Sequence, residues 1–94
     1  MPSIHNLPVE ERADMIARLK RVEGQTKGIQ KMIDEGRDCL EVMNQVAAVK
    51  AAVNALSGEM LGTFALHCLR HPMEFASPEQ AIEEAVRAFV RSGR

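Results

Sequence analysis

Aromatic side chains are nearly missing from this chain: Phe64, Phe75 and Phe89 are present, with no tryptophan or tyrosine. Their scarcity argues against a β-sandwich, whose strands favour aromatic and β-branched residues, and for a helical core of Leu, Val, Ala and Met. Cysteine is scarce as well. Cys39 and Cys68 are too few to staple a small secreted domain. No apolar run approaches the ~18 residues that a membrane span needs, and the first residues lack the apolar core of a signal segment. A cytoplasmic protein with no membrane partner is expected. The net charge of −1 announces no nucleic acid, so any basic surface must be local. There is no Gly-rich phosphate loop and no acid/base constellation, so no enzyme is expected and no cofactor is required.

What is present is helical periodicity. The 94 residues make one domain, 1–94, small enough that oligomerisation is a common remedy for a limited core. A first helix is expected over about 8–35. Pro8 suits its first turn, Glu10 and Glu11 favour the positive end of the dipole, and Ile16, Leu19, Val22, Ile29, Met32 and Ile33 recur at helical spacing. Gly36 fits a C-terminal cap and Asp38 an N-cap. Gly24 and Gly28, one turn apart inside this helix, suggest a close helix contact. A second helix over 39–70 contains no proline and ends before Pro72; Val42, Met43, Val46, Val49, Val53, Leu56, Met60, Leu61 and Phe64 form its apolar face. Such a length in so short a chain calls for a partner along it. Ser77, Pro78 and Gln80 open a third helix over 78–91, after which residues 92–94 fray.

Cys39 and Cys68 sit near opposite ends of the second helix. Twenty-nine residues is close to eight whole turns, so the two thiols share a face but stand roughly 44 Å apart along the axis. A disulfide needs Cα atoms within about 7 Å, so one chain cannot pair them while the helix is intact. Two copies packed antiparallel would bring Cys39 of one to Cys68 of the other, twice by symmetry. The plainer alternative is two buried cysteines acting as small hydrophobes. Cys39 also stands at a helix start, where the dipole favours the thiolate, although Asp38 opposes this.

Charge is polarised. Between Arg18 and Lys31 lie five cations (Arg18, Lys20, Arg21, Lys27 and Lys31) against the single acid Glu23. Arg37 and Lys50 follow. A solvated helix face is the usual meaning of such charges. No helix-turn-helix signature accompanies them.

The blocks Arg18-Leu19-Lys20-Arg21-Val22-Glu23-Gly24-Gln25, Gly28-Ile29-Gln30-Lys31-Met32-Ile33, Glu35-Gly36-Arg37-Asp38-Cys39 and Gln45-Val46-Ala47-Ala48-Val49-Lys50 resemble the copper-sensitive operon repressor (CsoR) family, in order, over about residues 12–91. The resemblance implies an all-α, three-helix protomer with a long central helix, forming antiparallel dimers that assemble into a disc-like homotetramer. It implies operator DNA as partner, released when an inducer reacts at the subunit interface. Basic residues matching Arg18 and Lys50 contact DNA in the family; Lys20 and Arg21 join them as expected contacts. Repeated four times, that stripe would bind phosphates with steep salt dependence and read the operator by shape.

Family members differ at four positions, which here look like Leu7, Cys39, Phe64 and Cys68. Copper sensors carry Cys, His and Cys at the last three, so Phe64 replaces a histidine ligand. Asp38 stands where some copper sensors have a tyrosine, while Glu84 matches the acidic partner on the third helix. The nickel-type histidines are absent, although His5 lies close to the N-terminal position. The formaldehyde-sensing branch shares Pro2 but has a histidine at the Phe64 position. Cys without His and then Cys is similar to the persulfide-sensing sulfurtransferase repressors (CstR), in which facing cysteines are joined by a disulfide or short polysulfide. Cu(I) at Cys39 and Cys68 is the alternative, with His71, read as one turn beyond Cys68, as a third ligand; His67 points more to the side. A thiol carrier or metallochaperone without DNA binding is a reading from another class.

Overall fold

The computed structural model describes residues 3–92; Pro2 and the expected fraying residues Gly93 and Arg94 lie outside them. Three α-helices follow in order, α1 (Val9–Asp34), α2 (Cys39–Arg70) and α3 (Pro78–Ser92), with 3-10 turns at Ile4–Asn6 and Pro72–Glu74. No strand occurs among the described residues. Pro8 is the N-cap of α1 rather than a first-turn residue. Gly36 takes φ +72° and donates its N–H to Ile33 O at 3.2 Å, while Arg37 donates to Met32 O at 3.0 Å. These two bonds close the Schellman motif that a left-handed glycine allows. Asp38 then caps α2 by accepting the Glu41 N–H at 3.2 Å. Ser77 Oγ accepts the Gln80 N–H at 3.3 Å as α3 begins.

α2 is the spine. Its 32 residues make about 48 Å of helix, and both α1 and α3 pack on it. α3 has 15 residues, about 22 Å, so it covers only the C-terminal half of α2. The contact of Phe89 with Gly58, whose Cβ position lies 3.8 Å from the ring, marks that overlap. The buried core is small: Leu7, Met15 and Leu56, with Phe64 packed against them.

The protomer is a slab of 55 × 27 × 14 Å with a radius of gyration of 16.8 Å, against about 12 Å for a compact chain of this length. It exposes 6945 Å², where a compact monomer of its mass would expose about 5,400 Å². Much of the excess is apolar. The single apolar face expected of α2 divides into adjacent lines: Val42, Val49 and Leu56 turn inward to varying degrees, while Val46, Val53 and Met60 are exposed. Gly24 and Gly28 have nothing within 4 Å of where a Cβ would stand. The close helix contact expected there is therefore not made within the chain, because that side of α1 faces away from α2.

Candidate functional site

Cys39, the first residue of α2, is exposed, and Cys68, near its other end, is fully buried. Helical register puts them on nearly one face, separated by about 44 Å along the axis, and neither forms a disulfide within the chain. Their surroundings differ, and α3 runs back along only the C-terminal half of α2, the half that carries Cys68. Burial pushes the Cys68 thiol above the ordinary thiol range, since its thiolate would lose hydration. Cys39 heads a line in which Val46, Val53 and Met60 follow at seven-residue intervals, all four exposed. Seven-residue spacing is the seam of paired helices.

Phe64 and Leu7, two of the four positions singled out above, line one apolar cavity of 510 Å³ between α2, α3 and the N-terminal turn. Met60, Leu61, Ala88 and Phe89 complete most of its wall. Phe64 also meets Phe75 edge-on, with centroids 6.1 Å apart. The surroundings of Phe64 are thus hydrocarbon. Glu84 is exposed on α3 and opens onto a different recess, with Asn6, Glu74 and Ser77.

The histidines fall otherwise than helical spacing suggests. α2 stops at Arg70, and His71 has φ −130° and ψ 56°, the departure from helix expected of a residue before proline. His71 therefore does not continue the face of Cys68; its ring lies against His67, with centroids 4.6 Å apart. His67 is buried, and its Nε2 lies 2.6 Å from Glu74 Oε2. An ionised carboxylate only accepts, so His67 donates from Nε2. This bond ties α2 to the following turn and was not foreseen from sequence; His67 and Glu74 carried no shared helical register to reveal it. His5 is exposed on the N-terminal turn. No group of three His, Cys, Asp or Glu side chains able to hold a metal gathers among the described residues. Because Cys39 and Cys68 stand about 44 Å apart along α2, one Cu(I) ion bound by both would take them from two chains.

Lys20, Arg21 and Lys50 are exposed. Lys20, Lys27 and Lys31 lie within about 40° of one another around α1. Arg18 is placed differently. Its Nε is 3.1 Å from Asp14 Oδ2 on the same helix and 2.8 Å from Glu59 Oε2 on α2. Hydrogen bonding between the Asp14 and Glu59 side chains lowers Asp14 and raises Glu59 in pKa. No helix among the described residues is long and apolar enough to cross a membrane.

The sequence profile of the metal-sensitive transcriptional repressors matches residues 11–91. The chain is 36% identical over 80 residues to the copper-sensing transcriptional repressor CsoR of Bacillus subtilis (strain 168), covering 85% of this chain and 79% of that one. It is 31% identical over 84 residues to the copper-sensing transcriptional repressor RicR of Mycobacterium tuberculosis, covering 87% and 88%. Among solved structures, the copper-sensing repressor CsoR with Cu(I) from Geobacillus thermodenitrificans matches with a TM-score of 0.78 and 30% identity, covering 100% of this chain and 94% of that one. The nickel-responsive transcriptional regulator InrS matches with a TM-score of 0.72 and 31% identity, covering 82% and 90%.

Proposed function

The chain belongs to the metal-sensitive transcriptional repressor family, and on that premise we propose that it is a cytoplasmic operator-binding repressor released by reactive sulfur at a Cys39/Cys68 pair shared between two copies. The observation that carries the choice of inducer is the apolar setting of Phe64, four residues before Cys68, where a third soft or imidazole ligand would otherwise stand. Two cysteines without that ligand suit sulfur chemistry. The exposed Cys39 thiolate attacks the outer sulfur of a persulfide or polysulfide and expels the remaining thiolate, leaving a persulfide on Cys39. Cys68 of a second copy then attacks the Cys39 sulfur and expels hydrosulfide, forming the disulfide; the sulfane sulfur is reduced as the two thiols are oxidised. A polysulfide bridge follows when further sulfur is inserted.

The pairing requires an antiparallel dimer, which the exposed line of Val46, Val53 and Met60 beyond Cys39 supports. Two such dimers make the tetramer, with operator DNA across the faces carrying Arg18, Lys20, Arg21 and Lys50. Crosslinking biases the assembly towards a state of poor DNA affinity.

Copper sensing is the second reading, favoured by relatives named as copper sensors. Two thiolates suit soft Cu(I); His71, turned off the Cys68 face after Arg70, is not placed as a third donor within the chain. Intact mass spectrometry after polysulfide treatment, beside an anaerobic Cu(I) titration under a competing chelator, separates the two. A covalent dimer carrying mass gains of whole sulfur atoms, with weak copper uptake, supports the sulfur reading. Unmodified thiols with tight copper uptake replace it with the copper one. Absence of binding to its own promoter DNA at low salt would favour a thiol carrier or metallochaperone.

A further inference from the structure

Arg18 does not offer a free charge. It is half-buried, with Asp14 Oδ2 at 3.1 Å and Glu59 Oε2 at 2.8 Å from its Nε. Glu59 Oε2 is shielded from solvent and has no aligned hydrogen-bond donor among the described residues, so charge holds it to the guanidinium. Two carboxylates around one guanidinium offer the same oxygen-rich anionic surroundings as a phosphodiester, which arginine engages with the same donors.

We propose that Asp14 and Glu59 form an internal substitute for DNA phosphate at Arg18, and that Glu59, from the neighbouring helix, sets how much of this charge DNA can claim. The proposal rests on the reading of Arg18 as a DNA contact. Asp14 is one turn from Arg18 on α1 and moves with it. Glu59 belongs to α2, nine residues and two and a half turns before Cys68, hence on the opposite face of the helix that carries both thiols. A displacement of α2 against α1 therefore changes the grip on Arg18 directly. The hydrogen bond with Asp14 raises Glu59 and lowers Asp14 in pKa, so acidification neutralises Glu59 first; Glu11 and Arg21 are the other charged groups acting on the cluster, both from α1.

The test is DNA binding by the full-length protein to a duplex from its own promoter, followed by fluorescence anisotropy over a range of salt, for wild type, Arg18→Ala, Glu59→Gln, Asp14→Asn and the Arg18→Ala/Glu59→Gln double variant. Glu59→Gln keeps the shape and removes the charge. It is expected to bind several-fold tighter, with a salt slope steeper by about 0.9, the value of one added phosphate contact. Asp14→Asn moves the same way. In the Arg18→Ala background Glu59→Gln adds nothing, and the wild-type gain in affinity on mild acidification shrinks in Glu59→Gln. If Arg18→Ala weakens binding while Glu59→Gln leaves affinity and slope unchanged, or shifts both backgrounds equally, the internal substitute is overturned and the DNA contact stands. Should Arg18→Ala bind as wild type does, the reading of Arg18 itself fails. Thermal unfolding checks that each variant is folded, and Asp14→Asn carries the test if Glu59→Gln is not.

Discussion

Cys39 and Cys68 lie within about 20° of one another around α2, yet Cys39 is exposed and Cys68 is fully buried. α3 is half the length of α2 and packs along its C-terminal half, the half that carries Cys68. Under the sulfur chemistry proposed above, this asymmetry would assign the exposed Cys39 to the first attack and the covered Cys68 to the second.

Alkylation of the reduced protein with iodoacetamide follows that division. At a dilution where copies separate, Cys39 is expected to label at least about tenfold faster than Cys68 at neutral pH, since only an accessible thiolate reacts, and Cys39→Ala to be nearly inert. Peptide mass spectrometry over time measures both rates; equal labelling would remove burial as the control. The sign of the pH effect follows from the raised pKa of Cys68. Below the ordinary thiol value of about 8.5, Cys68 is a neutral thiol in both folded and unfolded chains, and its contribution to stability is intact. As pH rises above that value the unfolded thiol ionises first, so the contribution is lost progressively through the raised folded value.

The exposed line on α2 makes a prediction about assembly. Val46 and Val53 are 51% and 42% exposed in one chain, so a charge at either should be tolerated if the chain works alone. An isolated carboxylate in an apolar interface is strongly unfavourable. Val46→Asp is therefore expected to shift the protein from a larger species towards monomer in sedimentation velocity, with promoter binding lost in parallel. A Val46→Asp protein that sediments as the wild type does would place the interface elsewhere.

Gly36 offers a test of the α1–α2 corner. Its φ of +72° costs a residue with a Cβ about 1–2 kcal/mol, and nothing stands within 4 Å of the position a Cβ would take. Gly36→Ala should lower the thermal unfolding midpoint through the backbone alone, with no effect on packing. Gly36→Asn, which tolerates left-handed backbone better, should recover part of the loss. Equal behaviour of the two variants would argue against a conformational cause.

The helix stops were legible because they depend on local chemistry. Gly36, Asp38, Ser77 and Pro72 act within a few residues of themselves, and all four punctuate the chain where their types require. The apolar face of α2 was legible only in part. Periodicity reports that Val42, Val46, Val49 and Val53 are apolar, but which line meets α1 and which is left outward depends on the packing of a second helix. The pairing of Arg18 with Glu59, 41 residues away in sequence, has no local signal; a basic stripe reads the same whether its charges are free or engaged. His71 shows the same limit: helical spacing places it on the Cys68 face, but α2 ends one residue earlier and the following proline turns the backbone away.

Phe64 allows the choice of inducer to be probed by gain rather than loss. Its ring is partly buried and lines an apolar cavity with Leu7, so Phe64→Ala would enlarge that cavity and confuse sensing with stability. Phe64→His is smaller in effect and places an imidazole one helical turn before Cys68, on the same face. With Cys39 of a second copy, that supplies two thiolates and an imidazole for Cu(I), a set suited to a soft ion. Under the sulfur reading the wild type binds Cu(I) weakly, and Phe64→His gains affinity by orders of magnitude in a chelator competition while still forming sulfur-bridged dimers. If the wild type already holds Cu(I) as tightly as Phe64→His, the missing imidazole was never the discriminating feature, and the copper reading takes over.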